Sequence, residues 1–302
     1  MDPAESFKAV KEELAKHIAG KQDLLELIFI SLVANGHAML EGVPGVAKTT
    51  TIKTLAEAVD INFARIQGMP DLDIRDIIGN TYVDERNEIQ LKRGPIFTNL
   101  LLIDELNRAP PKTTTALLEA LEERQVTIGN ETMPLDRPFI AFATQNPLNI
   151  EGTNPLPKVL ADRFLMRIAV NYQSMEDEEL MLRIKEKGEK QKVEKVLTKE
   201  QVLQLQEMVS GVTISDQVVE YITRVVNATR TDIHMVMGAS PRAEISFMQA
   251  GKARALIQGR KEVSIDDVKF LARPILSHRI VVRATGGLGV NGIIDGIIAT
   301  VK

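Results

Sequence analysis

His37-Ala38-Met39-Leu40-Glu41-Gly42-Val43-Pro44-Gly45-Val46-Ala47-Lys48-Thr49-Thr50 is the stretch on which the fold turns. A short apolar run meets a glycine-rich turn, and helical periodicity then resumes through Ile52, Leu55 and Ala56. Strand, loop and helix in that order make a glycine-rich string a candidate phosphate-binding loop. In that reading Gly42, Val43, Pro44, Gly45, Val46, Ala47, Lys48, Thr49 and Thr50 wrap the phosphates of ATP, with backbone N–H groups of the loop and helix N-terminus as the cradle. Lys48 reaches the β and γ oxygens, and Thr49 offers its hydroxyl to Mg²⁺. Ala47 stands where the usual pattern has glycine, which is tolerable where its φ is negative or the strain is accepted.

Two further units repeat the plan. Leu100-Leu101-Leu102-Ile103 ends in Asp104-Glu105 and is followed by Pro110-Pro111 and a helical repeat through Ala116, Leu117, Ala120 and Leu121. Phe139-Ile140-Ala141-Phe142-Ala143 ends in Thr144-Gln145-Asn146. Apolar runs without alternation are strands buried on both faces, and their alternation with helices predicts a parallel α/β sheet with ligands at the strand carboxyl ends. All three polar clusters sit at such ends. Asp104 is then a ligand in the magnesium shell, and Glu105 orients and deprotonates the attacking water. Asn146 either holds that water or senses the γ-phosphate, since an amide both donates and accepts.

Phosphoryl transfer spreads negative charge over the γ oxygens, so an added guanidinium is expected. Arg163, in Leu160-Ala161-Asp162-Arg163-Phe164, and Arg242, in Gly238-Ala239-Ser240-Pro241-Arg242, are the candidates, with Arg108 a third. Ser240 and Pro241 predict a cap and first turn for a helix carrying Arg242, which could couple that helix to nucleotide.

Around this frame, residues 6–34 predict two helices split at Gly20, and hairpins are expected at 82–91 and 126–135. Residues 174–200 are dense in Lys and Glu, and from Lys199 the patterns are helical with no strand expected before Arg279. The division expected is an α/β nucleotide-binding domain at 1–171 and a helical lid domain at 172–302, with a charged connector at 172–200. Gly286-Gly287-Leu288-Gly289 imitates a phosphate loop without a strand before it and reads as a turn.

The 302 residues are 44% hydrophobic and 26% charged with a net charge of −4, an ordinary globular balance with no basic stripe for a nucleic acid. Cysteine is absent, which excludes disulfides and thiolate chemistry and suits the cytoplasm. No signal peptide or membrane span is readable. The histidines at 17, 37, 234 and 278 lack ligand spacing, so no metal beyond Mg²⁺ is expected.

Taken together, Gly36 to Thr49, Asp104-Glu105-Leu106-Asn107-Arg108-Ala109-Pro110, Ala143-Thr144-Gln145-Asn146-Pro147 and Asp162-Arg163-Phe164-Leu165-Met166 resemble the MoxR-type AAA+ ATPases of the helix-2-insert clade. The resemblance implies a P-loop NTPase core with a C-terminal helical lid, and it makes Ala47 a family trait. By the same resemblance Asp104-Glu105 is Walker B, Asn146 sensor 1, Arg163 an arginine finger acting in trans and Arg242 sensor 2. The hairpin at 82–91 is similar to the helix-2 insert and that at 126–135 to the pre-sensor-1 insert. Ile18-Ala19-Gly20 is similar to the segment packing near the adenine. Thr113-Thr114-Thr115 departs from relatives that carry Gln before the Ala116-Leu117-Leu118-Glu119 run. The family implies a homo-oligomeric ring, hexameric in type, working as a chaperone-like motor on a protein client beside a von Willebrand factor A domain protein. A slow nucleotide-gated switch and a DNA-associated remodeller are the alternatives.

Overall fold

The structure is a computed structural model and describes residues 1–18, 20, 22–43, 48–146, 156–172, 174–186, 192–283 and 289–301. Two helices come first, α1 (Pro3–Ala15) and α2 (Gln22–Val33). Asp2 caps α1 by accepting from the Ala4 N–H, and Pro3 fills the first turn, where no N–H is missed. The break between the helices contains Gly20 at φ 69°, as the sequence predicts.

The α/β part then runs β1 (Ala38–Glu41), α3 (Lys48–Ala58), β2 (Phe63–Gln67), α4 (Ile74–Ile78), β3 (Gly79–Val83), β4 (Ile89–Arg93), β5 (Leu100–Asp104), α5 (Pro111–Glu123), β6 (Gln125–Ile128), β7 (Glu131–Pro134), β8 (Ile140–Gln145), α6 (Lys158–Ala161) and β9 (Met166–Ala169). Five strands form a parallel sheet in the order β2-β5-β8-β1-β9. The expected hairpins are the antiparallel pairs β3–β4 and β6–β7.

Alternation along the three central strands sends side chains to two faces. Ala38, Leu40, Leu100, Leu102, Ile140 and Phe142 enter one apolar cluster, and Met39, Leu101, Ile103, Ala141 and Ala143 enter the other. The second cluster is closed by α5 through Leu117 and Leu121, by β6 through Val126 and by α4 through Ile77. The first is closed by α2 and α3, and it continues without a gap into the helices that follow the sheet.

Those helices are α7 (Met175–Glu186), α8 (Lys199–Met208), α9 (Asp216–Thr231), α10 (Pro241–Ile257), α11 (Ile265–Leu276) and α12 (Val290–Thr300). Val202, Val225, Phe247, Leu271 and Ile275 share the cluster that holds Phe29 and Leu32 of α2. One expectation is corrected here: a short antiparallel ladder, β10 (Met235–Met237) with β11 (Val281–Val282), crosses the helical part, with β10 before Arg279. Its strands are three and two residues long, too short to leave a period-two signal. The charged stretch after 172 also carries a helix, α7, whose described side chains are exposed or half-exposed. No helix among the described residues is long and apolar enough to cross a membrane.

Candidate active site

Because β5, β8 and β1 are parallel neighbours in the middle of the sheet, Asp104, Gln145 and Glu41 lie close together at their carboxyl ends. Lys48 opens α3 directly beyond β1, and its Nζ donates to Gly42 O at 2.5 Å. A Cβ on Gly42 would lie 2.2 Å from Val170 O, so glycine is required for the loop to leave the sheet beside β9. Burial pushes the Lys48 ammonium below its ordinary range, against the pull of Asp104, Glu105 and Glu41. The Thr49 hydroxyl donates to Asp104 Oδ2 at 3.1 Å. Val43 is half-buried, Thr50 is exposed, and Ile18 is buried in the main cluster. Pro44, Gly45, Val46 and Ala47 lie outside the described residues, as does Ala19.

Asp104 is the most heavily bonded acid of the site. Its Oδ1 accepts from the Thr144 hydroxyl at 2.5 Å, and its Oδ2 accepts from Arg65 Nη2 at 2.7 Å and Nε at 3.2 Å besides Thr49. Burial raises the carboxyl's pKa, but the bonds from Thr144, Arg65 and Thr49 outweigh it and hold the group below the usual carboxylate range. Asp104 is therefore ionised and ready for a cation.

Glu105 follows with φ 52° and ψ 46°, a left-handed conformation unusual for a residue with a side chain. Three bonds hold it there. Its N–H donates to Thr144 Oγ1 at 2.8 Å, its C=O accepts from Arg108 N at 2.9 Å, and its carboxylate takes Arg108 Nη1 at 2.8 Å. One hydroxyl, Thr144, thus serves both acids of the pair. Asn146 comes two residues later, half-buried, with its C=O facing Asn107 Nδ2 at 3.5 Å. Asn107 Oδ1 is buried with no hydrogen-bond partner among the described residues.

The two candidate arginines are brought together, and neither is seen on Asp104 or Glu105. Arg163 Nε meets Glu122 Oε2 at 2.7 Å, and Arg242 Nη2 meets Glu122 Oε1 at 2.6 Å. Arg108, the third candidate, is the ion-pair partner of Glu105. Ser240 occupies the N-cap position of α10 but makes no capping bond; its hydroxyl donates to Asp162 at 2.9 Å instead. An ionised acceptor makes the stronger hydrogen bond, which is why the expected cap is absent.

Sequence reasoning missed several residues that build this seam. Arg279, almost wholly buried after α11, donates to Asp162 Oδ1, to the carbonyls of Asp162, Phe164, Leu165 and Ile275, and to Ser246 Oγ. Burial pushes its guanidinium down to about 10, against the opposing pull of Asp162. His278 Nε2 meets Phe164 O at 3.1 Å. A charged residue between the apolar runs Ile275-Leu276 and Ile280-Val281-Val282 was the available signal. Arg65, Thr144 and Glu122 carried none, because each acts across the chain.

A profile described as the ATPase family associated with various cellular activities (AAA) matches residues 37–166, and one described as an AAA lid domain matches 227–289. A third, described as the MoxR domain in the MoxR-vWA-beta-propeller ternary systems, matches 5–66. The chain is 41% identical over 280 residues to Chaperone MoxR1 of Mycobacterium tuberculosis, covering 89% of this chain and 74% of that one. It is 40% identical over 300 residues to the uncharacterized protein YeaC of Bacillus subtilis, covering 98% and 93%. The crystal structure of a provisionally assigned ATPase from Cytophaga hutchinsonii is similar with a TM-score of 0.91 at 37% identity, covering 99% of this chain and 95% of that one.

Proposed function

This chain belongs to the MoxR-type AAA+ ATPases, and from that membership we propose that it hydrolyses ATP with Mg²⁺ in a ring of its own copies and uses the turnover to remodel a protein client. The observation that carries the chemistry is the 3.1 Å contact between the Thr49 hydroxyl and Asp104 Oδ2, one residue from the Lys48 ammonium. A hydroxyl and an ionised carboxylate side by side form a hard oxygen donor set that fits Mg²⁺. Bound there, Mg²⁺ supplies neutralisation of the charge on the β and γ oxygens.

The chain's own groups do the rest. Lys48 exchanges Gly42 O for a phosphate oxygen, while the loop from Gly42 to Thr50 wraps the phosphates, its backbone N–H groups, which Pro44 alone lacks, forming the cradle. Glu105, oriented through Thr144 and Arg108, takes the proton of the attacking water, and Asn146 at the end of the next strand orients that water. Ile18 and Ala19 border the adenine; since the Ile18 side chain is buried in the main cluster, its contribution comes from the backbone.

Arg163 serves the site of a neighbouring copy, with Arg242 beside it. Their shared anchorage on Glu122, away from Asp104 and Glu105, supports this reading. We read residues 1–171 as the nucleotide-binding part and 172–302 as the lid that turns with nucleotide state. The profile matching residues 5–66 is described by its MoxR-vWA systems, which supports a von Willebrand factor A domain partner. Family resemblance supports six subunits, and a sequence without cysteine suits the cytoplasm.

The test is the ATPase rate per subunit against protein concentration, with Glu105→Gln carrying Arg163→Ala added as a dopant. The expected result is a rate that rises with concentration and falls more steeply than simple dilution on doping, because each inactive copy also deprives a neighbour of its arginine. A flat rate indifferent to the dopant would mean a self-sufficient monomeric site.

A further inference from the structure

Arg163 and Arg242 come from opposite sides of the seam between the sheet and the helices after it, yet both end on one carboxylate. Glu122 Oε2 takes Arg163 Nε at 2.7 Å and Nη2 at 2.5 Å, while Oε1 takes Arg242 Nη2 at 2.6 Å. Two like charges this close repel, and the carboxylate between them is what offsets the repulsion. Hydrogen bonding from Arg163 holds the Glu122 carboxyl below its ordinary range, so the counter-charge is present at neutral pH.

Each backbone that meets at this carboxylate is itself fixed. Glu122 lies in the last turn of α5, and two residues on Arg124 donates to Asn35 O at 2.7 Å and to Phe139 O. Asp162, beside Arg163, is held by Arg279 at 3.0 Å and by Ser240, two residues before Arg242, at 2.9 Å. Arg163 Nη1 donates to Val159 O at 2.7 Å. Each guanidinium still has N–H groups left for an outside acceptor. The pair borders surface, since Val159 is 58% exposed and Ile245, one helical turn from Arg242, is 50% exposed.

We propose that Glu122 is a positioning residue that sets Arg163 and Arg242 as one two-guanidinium receptor for a single phosphoryl group presented by a second copy of the chain. The inference rests on the shared-site reading above. A phosphoryl group offers several oxygens to donors on different backbones, and the receptor works only if both arginines arrive together. Isolated ion pairs at a surface contribute little to stability, so the role of Glu122 is geometry more than folding.

The experiment compares the whole chain with Glu122→Ala, Glu122→Gln, Glu122→Asp, Arg163→Ala and Arg242→Ala at a concentration where the wild-type rate per subunit has levelled off. Affinity for a fluorescent ATP analogue, kcat, KM and thermal melting are measured for each. Glu122→Ala and Glu122→Gln are expected to bind the analogue within about twofold of wild type and to lose about tenfold in kcat, with Glu122→Asp recovering part of the loss. Glu122→Ala in the Arg163→Ala background is expected to cost little more than Arg163→Ala alone. Wild-type or raised kcat in both neutral variants, with Arg163→Ala slow, would overturn the role of Glu122 and leave the shared-site reading standing. Full activity in Arg163→Ala would overturn the shared-site reading and this inference with it.

Discussion

Gly68 shows how a residue with no polar side chain governs the acid pair. Its N–H donates to Asp104 O at 2.6 Å, and a Cβ there would stand 2.2 Å from Glu105 O, 2.8 Å from Glu105 C and 3.0 Å from Asp104 O. All three obstacles are backbone, so an added methyl group is accommodated only by moving the end of β5 or the end of β2. Glu105 already sits at φ 52° and depends on Thr144 and Arg108 to stay there, so a shift of its backbone strains those bonds and moves its carboxylate. Gly68→Ala is therefore expected to cost about 1–3 kcal/mol of stability as an overpacking change. It is expected to lower kcat roughly 10²-fold through misplacement of the Glu105 carboxylate. Nucleotide affinity should hold, because Lys48 follows β1, two strands away across β8. Steady-state kinetics and equilibrium binding on the same preparation decide it, and an unaltered kcat would mean that Glu105 tolerates the shift.

Elements differ in how plainly the sequence announces them, and burial is the reason. β5 and β8 are central and covered on both faces, so they read as unbroken apolar runs, and β1 reads through its contact with the glycine-rich turn. β2 and β9 are the sheet's edges; Phe63-Ala64-Arg65-Ile66-Gln67 mixes polar and apolar residues, and Met166–Ala169 spans four residues. The acids and the lysine of the candidate site were legible because each follows a strand within a few positions. Thr144, Glu122 and Arg279 were not, because their partners lie 40, 41 and more than 100 positions away. The connection between α11 and β11 carries most of the seam through Arg279, whose Nη2 alone reaches two carbonyls and the Ser246 hydroxyl. Lysine has one nitrogen and cannot reproduce that fork. Arg279→Lys is expected to leave buried carbonyls of the Arg163 segment unpaired and to cost about 3 kcal/mol or more. Urea unfolding monitored by circular dichroism measures this, and a midpoint equal to wild type would show that the other contacts of Asp162 suffice to close the seam.

Across the whole molecule, stability is tied to two buried imidazoles, His37 and His278. His37 Nδ1 accepts from Ala141 N at 2.8 Å and its Nε2 donates to Leu121 O at 3.0 Å, joining the start of β1 to β8 and α5. His278 joins the helices after the sheet to Phe164 O. Burial pushes both rings well below the ordinary histidine range, reinforced by Arg124 beside His37 and by Arg279, Arg167 and Lys158 around His278. Both are neutral in the fold and free to protonate once it opens. The sign follows from proton binding: below the unfolded histidine value of ~6.5 the unfolded chain takes up protons that the folded chain refuses, so stability falls as pH falls. While a ring stays neutral, the loss is about 1.4 kcal/mol per pH unit for each imidazole. Carboxylates held low by their partners, such as Asp104 and Asp267, add their own loss only under more acid conditions, below the ordinary carboxylate value of ~4. Between pH 6.5 and 5 the slope is therefore histidine-driven. His278→Gln keeps a donor near Phe164 O but cannot take up a proton, and it is expected to flatten the slope by one imidazole's share. Urea midpoints taken at half-unit steps across that window measure it, and a variant with the wild-type slope would mean that the His278 ring protonates within the native state.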